Sequence, residues 1–75
     1  MVKIYSTPTC PWCKKAKQYL DEKAIKYESI DVSSNEVAQK EMIEKSGQMG
    51  VPVIDIDGKI IVGFDKEEID KTLNL

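Results

Sequence analysis

The chain has 75 residues, of which 41% are hydrophobic and 32% charged, and its formal net charge at pH 7 is −2. This length is near the lower limit for a domain that buries an adequate core, so we expect a single domain over residues 1–75. The weakly acidic charge predicts no binding to nucleic acid or to an anionic membrane. All 11 basic residues are lysines and histidine is absent, which removes the commonest general base and metal ligand.

The N-terminal residues carry no apolar leader, and no stretch approaches the roughly 18 apolar residues of a membrane span. We therefore expect a cytoplasmic protein. In a reducing cytosol, a lone pair of cysteines three positions apart is more often catalytic or metal-binding than a stabilising disulfide.

The first third of the chain predicts a strand followed by a helix. Apolar and polar residues alternate from Val2 to Ser6, and Pro8 ends the strand. From Pro11 to about Glu22 the apolar positions recur at helical spacing, with Cys13 on the inward face and lysines on the other side.

The middle third predicts a second strand and a second helix. The strand covers residues 26–32 and the helix roughly residues 35–45. Ser33 and Glu36 have the spacing of a capping box, and Gly47 is typical of a helix C-terminus.

The last third predicts a hairpin and a closing helix. Strands at residues 53–56 and 59–62 flank Asp57-Gly58, a pair preferred in type I′ turns because both positions need positive φ. Asp65 and Glu68 repeat the capping-box spacing at the start of the third helix. The resulting order, βαβαββα, predicts an α/β fold in which one mixed four-stranded sheet has helices on both faces.

The chemistry of the chain is predicted to lie in Cys10-Pro11-Trp12-Cys13, which holds its only two cysteines. If the helix begins at Pro11, Cys10 is its N-cap, and a Cys10 thiolate accepts the free N–H groups of Trp12 and Cys13 at the positive end of the helix dipole. We therefore assign Cys10 as the nucleophile and the inward-facing Cys13 as the resolving thiol of a thiol–disulfide exchange.

Three other interpretations compete with this assignment. A structural zinc site within one chain needs four ligands, whereas this chain supplies one cysteine pair. Two chains could share a metal or an iron–sulfur cluster through their cysteine pairs, which would make the protein a non-catalytic carrier. The cysteines could also be inert. The lysines that follow them, Lys14, Lys15 and Lys17, are either a solvated helix face or a source of positive potential near the sulfur.

Over nearly its whole length the chain resembles the glutaredoxins. Residues 5–13 are similar to that family's strand-to-helix loop, residues 46–53 to the stretch that precedes its cis-proline, and residues 62–65 to its glycine–aspartate motif. The resemblance implies a thioredoxin-like fold and a dithiol–disulfide oxidoreductase that carries electrons without a bound metal or organic cofactor.

The resemblance also implies a substrate site made by Val51, Pro52, Gly63, Phe64 and Asp65. Pro52 would be cis and lie against the cysteines, leaving the Val51 backbone free to pair with an extended disulfide substrate. Gly63, Phe64 and Asp65 would bind the γ-glutamyl unit of glutathione at the start of the third helix. Pro52 could instead be the ordinary first residue of a strand, and Asp65 an ordinary N-cap.

Departures from the family pattern bear on the choice of partner. Gly50 stands where glutathione-binding members have threonine, and Thr7, Val62 and Lys66 also differ. Gly63-Phe64 is similar to the same site in small redoxins recharged by thioredoxin reductase. The expected partners are disulfide-containing proteins or glutathione, with glutathione or a thioredoxin-reductase-type flavoprotein as reductant.

We expect a monomer, and an apolar rim around Cys10 that suits a docking protein. Its members would be Trp12, Met49, Val51 and Phe64.

Overall fold

The computed structural model describes residues 2–74, which form seven elements in the predicted order. Their bounds are β1 Val2–Ser6, α1 Pro11–Glu22, β2 Tyr27–Asp31, α2 Glu36–Ser46, β3 Val53–Ile56, β4 Lys59–Val62 and α3 Lys66–Leu73. The strands form one sheet in the order β2-β1-β3-β4. Strand β2 is parallel to β1, whereas β3 is antiparallel to both β1 and β4, so the predicted mixed sheet is confirmed.

The sheet is covered by helices on both faces because its central strands bury side chains on both sides. In β1, the neighbouring residues Ile4 and Tyr5 point to opposite faces and are both 0% exposed. Ile4 packs with the buried residues of α1 and α3, and Tyr5 packs with those of α2. Helices α1 and α3 therefore lie on one face of the sheet and α2 on the other.

Helix α1 is held to the sheet by the apolar stripe that its sequence predicts. Cys13, Ala16 and Leu20 are its buried residues. Because α1 follows β1 after only a short loop, packing of this stripe places the first turn of α1, with Cys10 before it, at the carboxyl end of β1. No helix within residues 2–74 has the length and apolar character needed to span a membrane.

The start of α2 differs from the prediction. Its N-cap is Asn35, whose side-chain oxygen accepts a hydrogen bond from the Ala38 N–H at 3.0 Å. The predicted capping box from Ser33 is therefore wrong. Ser33 instead closes a turn with Asp31, donating from its N–H and its hydroxyl to the same carboxylate oxygen at 2.9 and 2.5 Å. An Asx-type turn competes with a helix cap for the same polar groups.

The predicted turn and cap of the last third are confirmed. Asp57 and Gly58 have φ angles of 50° and 98°, as a type I′ turn requires. Asp65 is the N-cap of α3, and its carboxylate accepts from the Glu68 N–H at 3.3 Å. Phe64, just before the cap, packs against the same core cluster that contains Ile69, which is the contact of a hydrophobic staple, between the residue before an N-cap and a residue one turn into the helix.

A buried carboxylate joins β3 to α2. Asp55 accepts from the Lys45 ammonium at 2.8 Å and from the Gly58 N–H at 2.9 Å. Lys45 also lies 3.1 Å from Glu41, which accepts from the buried Tyr5 hydroxyl at 2.7 Å. Burial by itself would raise the pKa of Asp55, but the hydrogen bonds from Lys45 and Gly58 outweigh it and leave that pKa below its ordinary value.

We expect Lys45→Met to lower the free energy of unfolding by about 2 kcal/mol at neutral pH, because it leaves the buried Asp55 carboxylate without one of its hydrogen-bond donors. The wild-type pKa of Asp55 is lowered, so the stability it supplies is present above the ordinary value of 3.8 and is lost as pH falls through the folded-state value. The difference between variant and wild type should therefore narrow in acid.

Urea unfolding of both proteins across the acid range measures this difference. Lys40→Met is the matched control, since Lys40 is an exposed lysine of the same helix. A Lys45→Met variant as stable as Lys40→Met at neutral pH would contradict the prediction.

Candidate active site

Cys10 lies at the N-cap of α1, as predicted. Its φ and ψ of −91° and 111° are extended, and Pro11 takes the first helical position. The Cys13 N–H donates a hydrogen bond to the Cys10 sulfur at 3.2 Å. Of the two predicted backbone donors, the Cys13 N–H therefore forms the cap, and no hydrogen bond from the Trp12 N–H to this sulfur is found within residues 2–74. This N–H and the positive end of the helix both stabilise negative charge on the sulfur.

Cys13 lies behind Cys10, buried against the sheet with 1% of its surface exposed, whereas Cys10 is partly exposed. Burial, followed by its hydrogen bond with Cys10, raises the pKa of the Cys13 thiol to about 11, although the Thr7 backbone and the Lys17 charge act in the opposite direction. Both cysteines are free thiols. The site therefore holds one accessible sulfur at a helix N-terminus and one shielded, protonated thiol.

Val51 and Pro52 approach the cysteines from the other side. The Val51–Pro52 peptide bond is cis, so the plain interpretation of Pro52 as an ordinary strand start is wrong. The Cys10 thiol donates to the Val51 carbonyl oxygen at 3.8 Å. Behind them, the Gly63 N–H donates to the Pro52 carbonyl oxygen at 2.8 Å, and the φ of 80° at Gly63 is one that glycine adopts readily. This bond ties the loop after β4 to the loop before β3.

A cleft of about 260 Å³ is formed where these segments meet. It brings together four of the five residues implied as the substrate site, with Trp12 from the active-site loop; its lining is Trp12, Val51, Pro52, Gly63 and Phe64. The fifth, Asp65, is exposed and does not line it.

Two residues beside the cleft bear on the predicted surroundings of Cys10. Met49, expected on the apolar rim, is 68% exposed and does not line the cleft. Lys15 is more than a solvated helix residue, since its ammonium lies 4.5 Å from the centroid of the Trp12 ring. Trp12 itself is 56% exposed, so this contact covers part of a ring that borders the cleft.

Sequence reasoning missed Gln48, whose carboxamide bonds to the Gly50 backbone just before the cleft. Nothing in the local pattern distinguishes it from any polar loop residue. Sequence reasoning also missed the cluster of Tyr5, Glu41, Lys45 and Asp55, for which the i,i+4 spacing of Glu41 and Lys45 was the available signal.

Comparison with known proteins decides the family. A model of the glutaredoxin family matches residues 2–61. The chain belongs to the glutaredoxin family. Its element order and mixed sheet are those of the thioredoxin-like α/β fold, which confirms the expectation drawn from the three motifs.

Individual members of the glutaredoxin family resemble the chain over most of its length. A protein described as an uncharacterized glutaredoxin-like 8.6 kDa protein in the rubredoxin operon of Clostridium pasteurianum is 58% identical over 73 residues, covering 97% of each chain. Glutaredoxin 3 of Escherichia coli is 39% identical over 64 residues, covering 85% of this chain and 77% of the relative. The crystal structure of a buckwheat glutaredoxin–glutathione complex matches with a TM-score of 0.80 and 25% identity, covering 97% of this chain and 72% of that one.

We expect Cys13 to ionise with a midpoint of about 11 in the folded, reduced protein, compared with 9.0 for an unperturbed thiol. Because burial raises this folded-state pKa, the stability linked to it is complete below the unfolded value and is lost as pH rises through the folded one. The Cβ chemical shift of labelled Cys13, followed by NMR against pH, measures the midpoint.

Chemical unfolding of reduced wild type and Cys13→Ala then separates this effect from other alkaline titrations. Both proteins have the same tyrosines and lysines, so the alkaline titration of these residues affects their stability equally. Because only the wild type carries the Cys13 thiol, it should lose additional stability between about pH 9 and 11. A midpoint at or below 9.0 would disprove the expectation.

Proposed function

We propose that this member of the glutaredoxin family is a dithiol–disulfide oxidoreductase, an electron carrier that reduces protein or small-molecule disulfides. The observation that carries the proposal is the placement of the Cys10 sulfur between the Cys13 N–H and the Val51 carbonyl, with the Cys13 thiol buried behind it. Thiol–disulfide exchange by a cysteine pair uses an accessible thiol as the nucleophile and a second, shielded thiol that resolves the mixed disulfide.

In the first step, the Cys10 thiolate attacks one sulfur of the substrate disulfide. The substrate S–S bond breaks, its other sulfur leaves as a thiolate that takes a proton from solvent, and a mixed disulfide forms between Cys10 and the substrate. The Cys13 N–H and the dipole of α1 stabilise the thiolate before the attack.

In the second step, Cys13 loses its proton and attacks the Cys10 sulfur of the mixed disulfide. The Cys10–Cys13 disulfide forms and the second substrate sulfur leaves as a thiol, so two electrons have passed from the cysteine pair to the substrate. The raised pKa of Cys13 keeps it protonated until then, which limits premature reaction of the buried thiol.

The cleft supplies the binding surface in this proposal. Val51 offers its backbone to an extended substrate next to the disulfide, while Trp12 and Phe64 provide apolar walls for the flanking groups. Gly63, Phe64 and Asp65 contribute the start of α3, whose free N–H groups suit a carboxylate such as that of the γ-glutamyl unit.

Glutathione is the reductant that family membership favours, and a buckwheat family member is known in complex with it. The alternative reductant is a thioredoxin-reductase-type flavoprotein. We propose that the protein acts in the cytoplasm as a monomer of one domain, residues 1–75, with disulfide-containing proteins or glutathione as partners.

Trapping of mixed disulfides tests the assignment of the two cysteines. We expect Cys13→Ser to accumulate a covalent adduct between Cys10 and a peptide disulfide, because resolution is lost while attack remains. Cys10→Ser should accumulate none. Intact-mass spectrometry under non-reducing conditions measures both, and adducts on Cys10→Ser in place of Cys13→Ser would reverse the roles.

A reconstituted electron chain tests the reductant. With NADPH and a disulfide substrate, we expect glutathione plus glutathione reductase to sustain turnover at least about tenfold faster than thioredoxin reductase, a difference of about 1.4 kcal/mol in transition-state binding. NADPH consumption gives the rate, and Cys10→Ser gives the background of each chain. Faster turnover with thioredoxin reductase would assign the flavoprotein as the reductant.

A further inference from the structure

The loop before the cleft contains a side chain clamped onto the backbone. The Gln48 carboxamide NH₂ donates to the Gly50 carbonyl oxygen at 2.9 Å, and its carbonyl oxygen accepts from the Gly50 N–H at 2.5 Å. Gln48 thus occupies both backbone groups of Gly50, the residue immediately before Val51.

The clamp is anchored to α2. The Ser46 hydroxyl donates to the Met42 carbonyl in the last turn of α2 at 2.7 Å, lies 3.0 Å from the Gln48 carbonyl oxygen, and accepts from the Gln48 N–H at 3.4 Å. Met42 is fully buried in the core. The position of residue 50 is therefore set by a chain of hydrogen bonds that starts in the core.

A side chain at position 50 would disturb this contact. A Cβ atom placed on Gly50 would lie 2.6 Å from the Gln48 carbonyl oxygen, so the flexible carboxamide would have to shift. A threonine at position 50 would therefore displace the carboxamide from its present position, so Gln48 and Gly50 form a coupled pair.

The clamp also determines which backbone groups remain for a substrate. Both polar groups of Gly50 are satisfied, whereas the Val51 carbonyl accepts only the Cys10 thiol and no bond of the Val51 N–H is found within residues 2–74. An extended substrate can therefore pair with the Val51 backbone while the clamp holds the residue before it in place.

We propose that Gln48 is a positioning residue that fixes the Val51 backbone for pairing with the backbone of a peptide disulfide. A disulfide that carries a peptide backbone next to its sulfur gains from the clamp, whereas a disulfide without one does not. This inference rests on the proposed function and specifies its substrate class.

A single-turnover experiment with two disulfides tests the inference. Reduced protein is mixed with a symmetrical disulfide of a short cysteine peptide, or with hydroxyethyl disulfide, which has no peptide backbone to pair with Val51. Fluorescence of Trp12, the only tryptophan, reports oxidation of the neighbouring cysteines.

The variants are Gln48→Met, whose side chain has a similar length and forms no hydrogen bonds, and Gln48→Glu, whose side chain keeps the acceptor and loses the donor. Met49→Gln, at an exposed position of the same loop, is the control.

We expect Gln48→Met to raise the half-saturating concentration of the peptide disulfide about fivefold, the factor that one net hydrogen bond supplies, with little change in the limiting rate. Gln48→Glu should raise the half-saturating concentration of the peptide disulfide less than Gln48→Met does. Hydroxyethyl disulfide should react with all variants within about twofold of wild type. Gly50→Thr should reproduce the effect of Gln48→Met, and the double variant should be no worse than either single one because both remove the same clamp.

Two outcomes would overturn the inference while leaving the proposed function intact: equal losses with both disulfides, or an unchanged half-saturating concentration for the peptide in Gln48→Met. Wild-type protein that reacts with neither disulfide would overturn the proposed function itself. Far-ultraviolet circular dichroism of each variant shows that it is folded, and Gly50→Thr supplies an independent test at a second position.

Discussion

The site depends on one hydrogen bond, from the Cys13 N–H to the sulfur of Cys10. It exists because Cys10 is the last residue before α1, and α1 is held against the sheet by a stripe that includes Cys13 and Leu20. The same packing that buries Cys13 therefore presents Cys10 at the helix end. Burial raises the pKa of the Cys13 thiol, while the Cys10 sulfur is partly exposed and accepts a backbone N–H, so the two cysteines have different surroundings.

The other side of the site is formed by the loop between α2 and β3, which is distant from the cysteines in the sequence. The Val51 carbonyl contacts Cys10 from the loop after α2, in which Ser46 bonds the last part of the helix and Gln48 bonds Gly50. Glycine at position 50 appears in the sequence only as a departure from the family pattern. In the structure its backbone N–H and carbonyl oxygen are both bonded by the Gln48 carboxamide, which lies where a Cβ atom at position 50 would come.

Local signals predicted most of the fold because they act over a few residues. Proline at the start of α1, the Asp57-Gly58 turn and the Asp65 cap each satisfy a backbone requirement within one turn of chain, and each lies where the sequence placed it. The prediction for Ser33 was wrong. Ser33 has the spacing of a capping box, but its N–H and hydroxyl donate to the nearby carboxylate of Asp31, and Asn35 caps α2 instead. Two local motifs competed, and spacing alone does not rank them.

The sequence by itself determined where Cys10 lies, since a proline that begins a helix directly after a cysteine places that cysteine at the helix N-terminus. It also determined the element order, because hydrophobic period and turn residues are local properties. Only the tertiary structure brought distant segments to that helix end: the Val51 carbonyl meets the Cys10 sulfur and Phe64 lines the cleft beside Trp12, although both lie about forty or more residues away along the chain. Contacts at such separations follow from how the helices pack on the sheet, which no local pattern encodes.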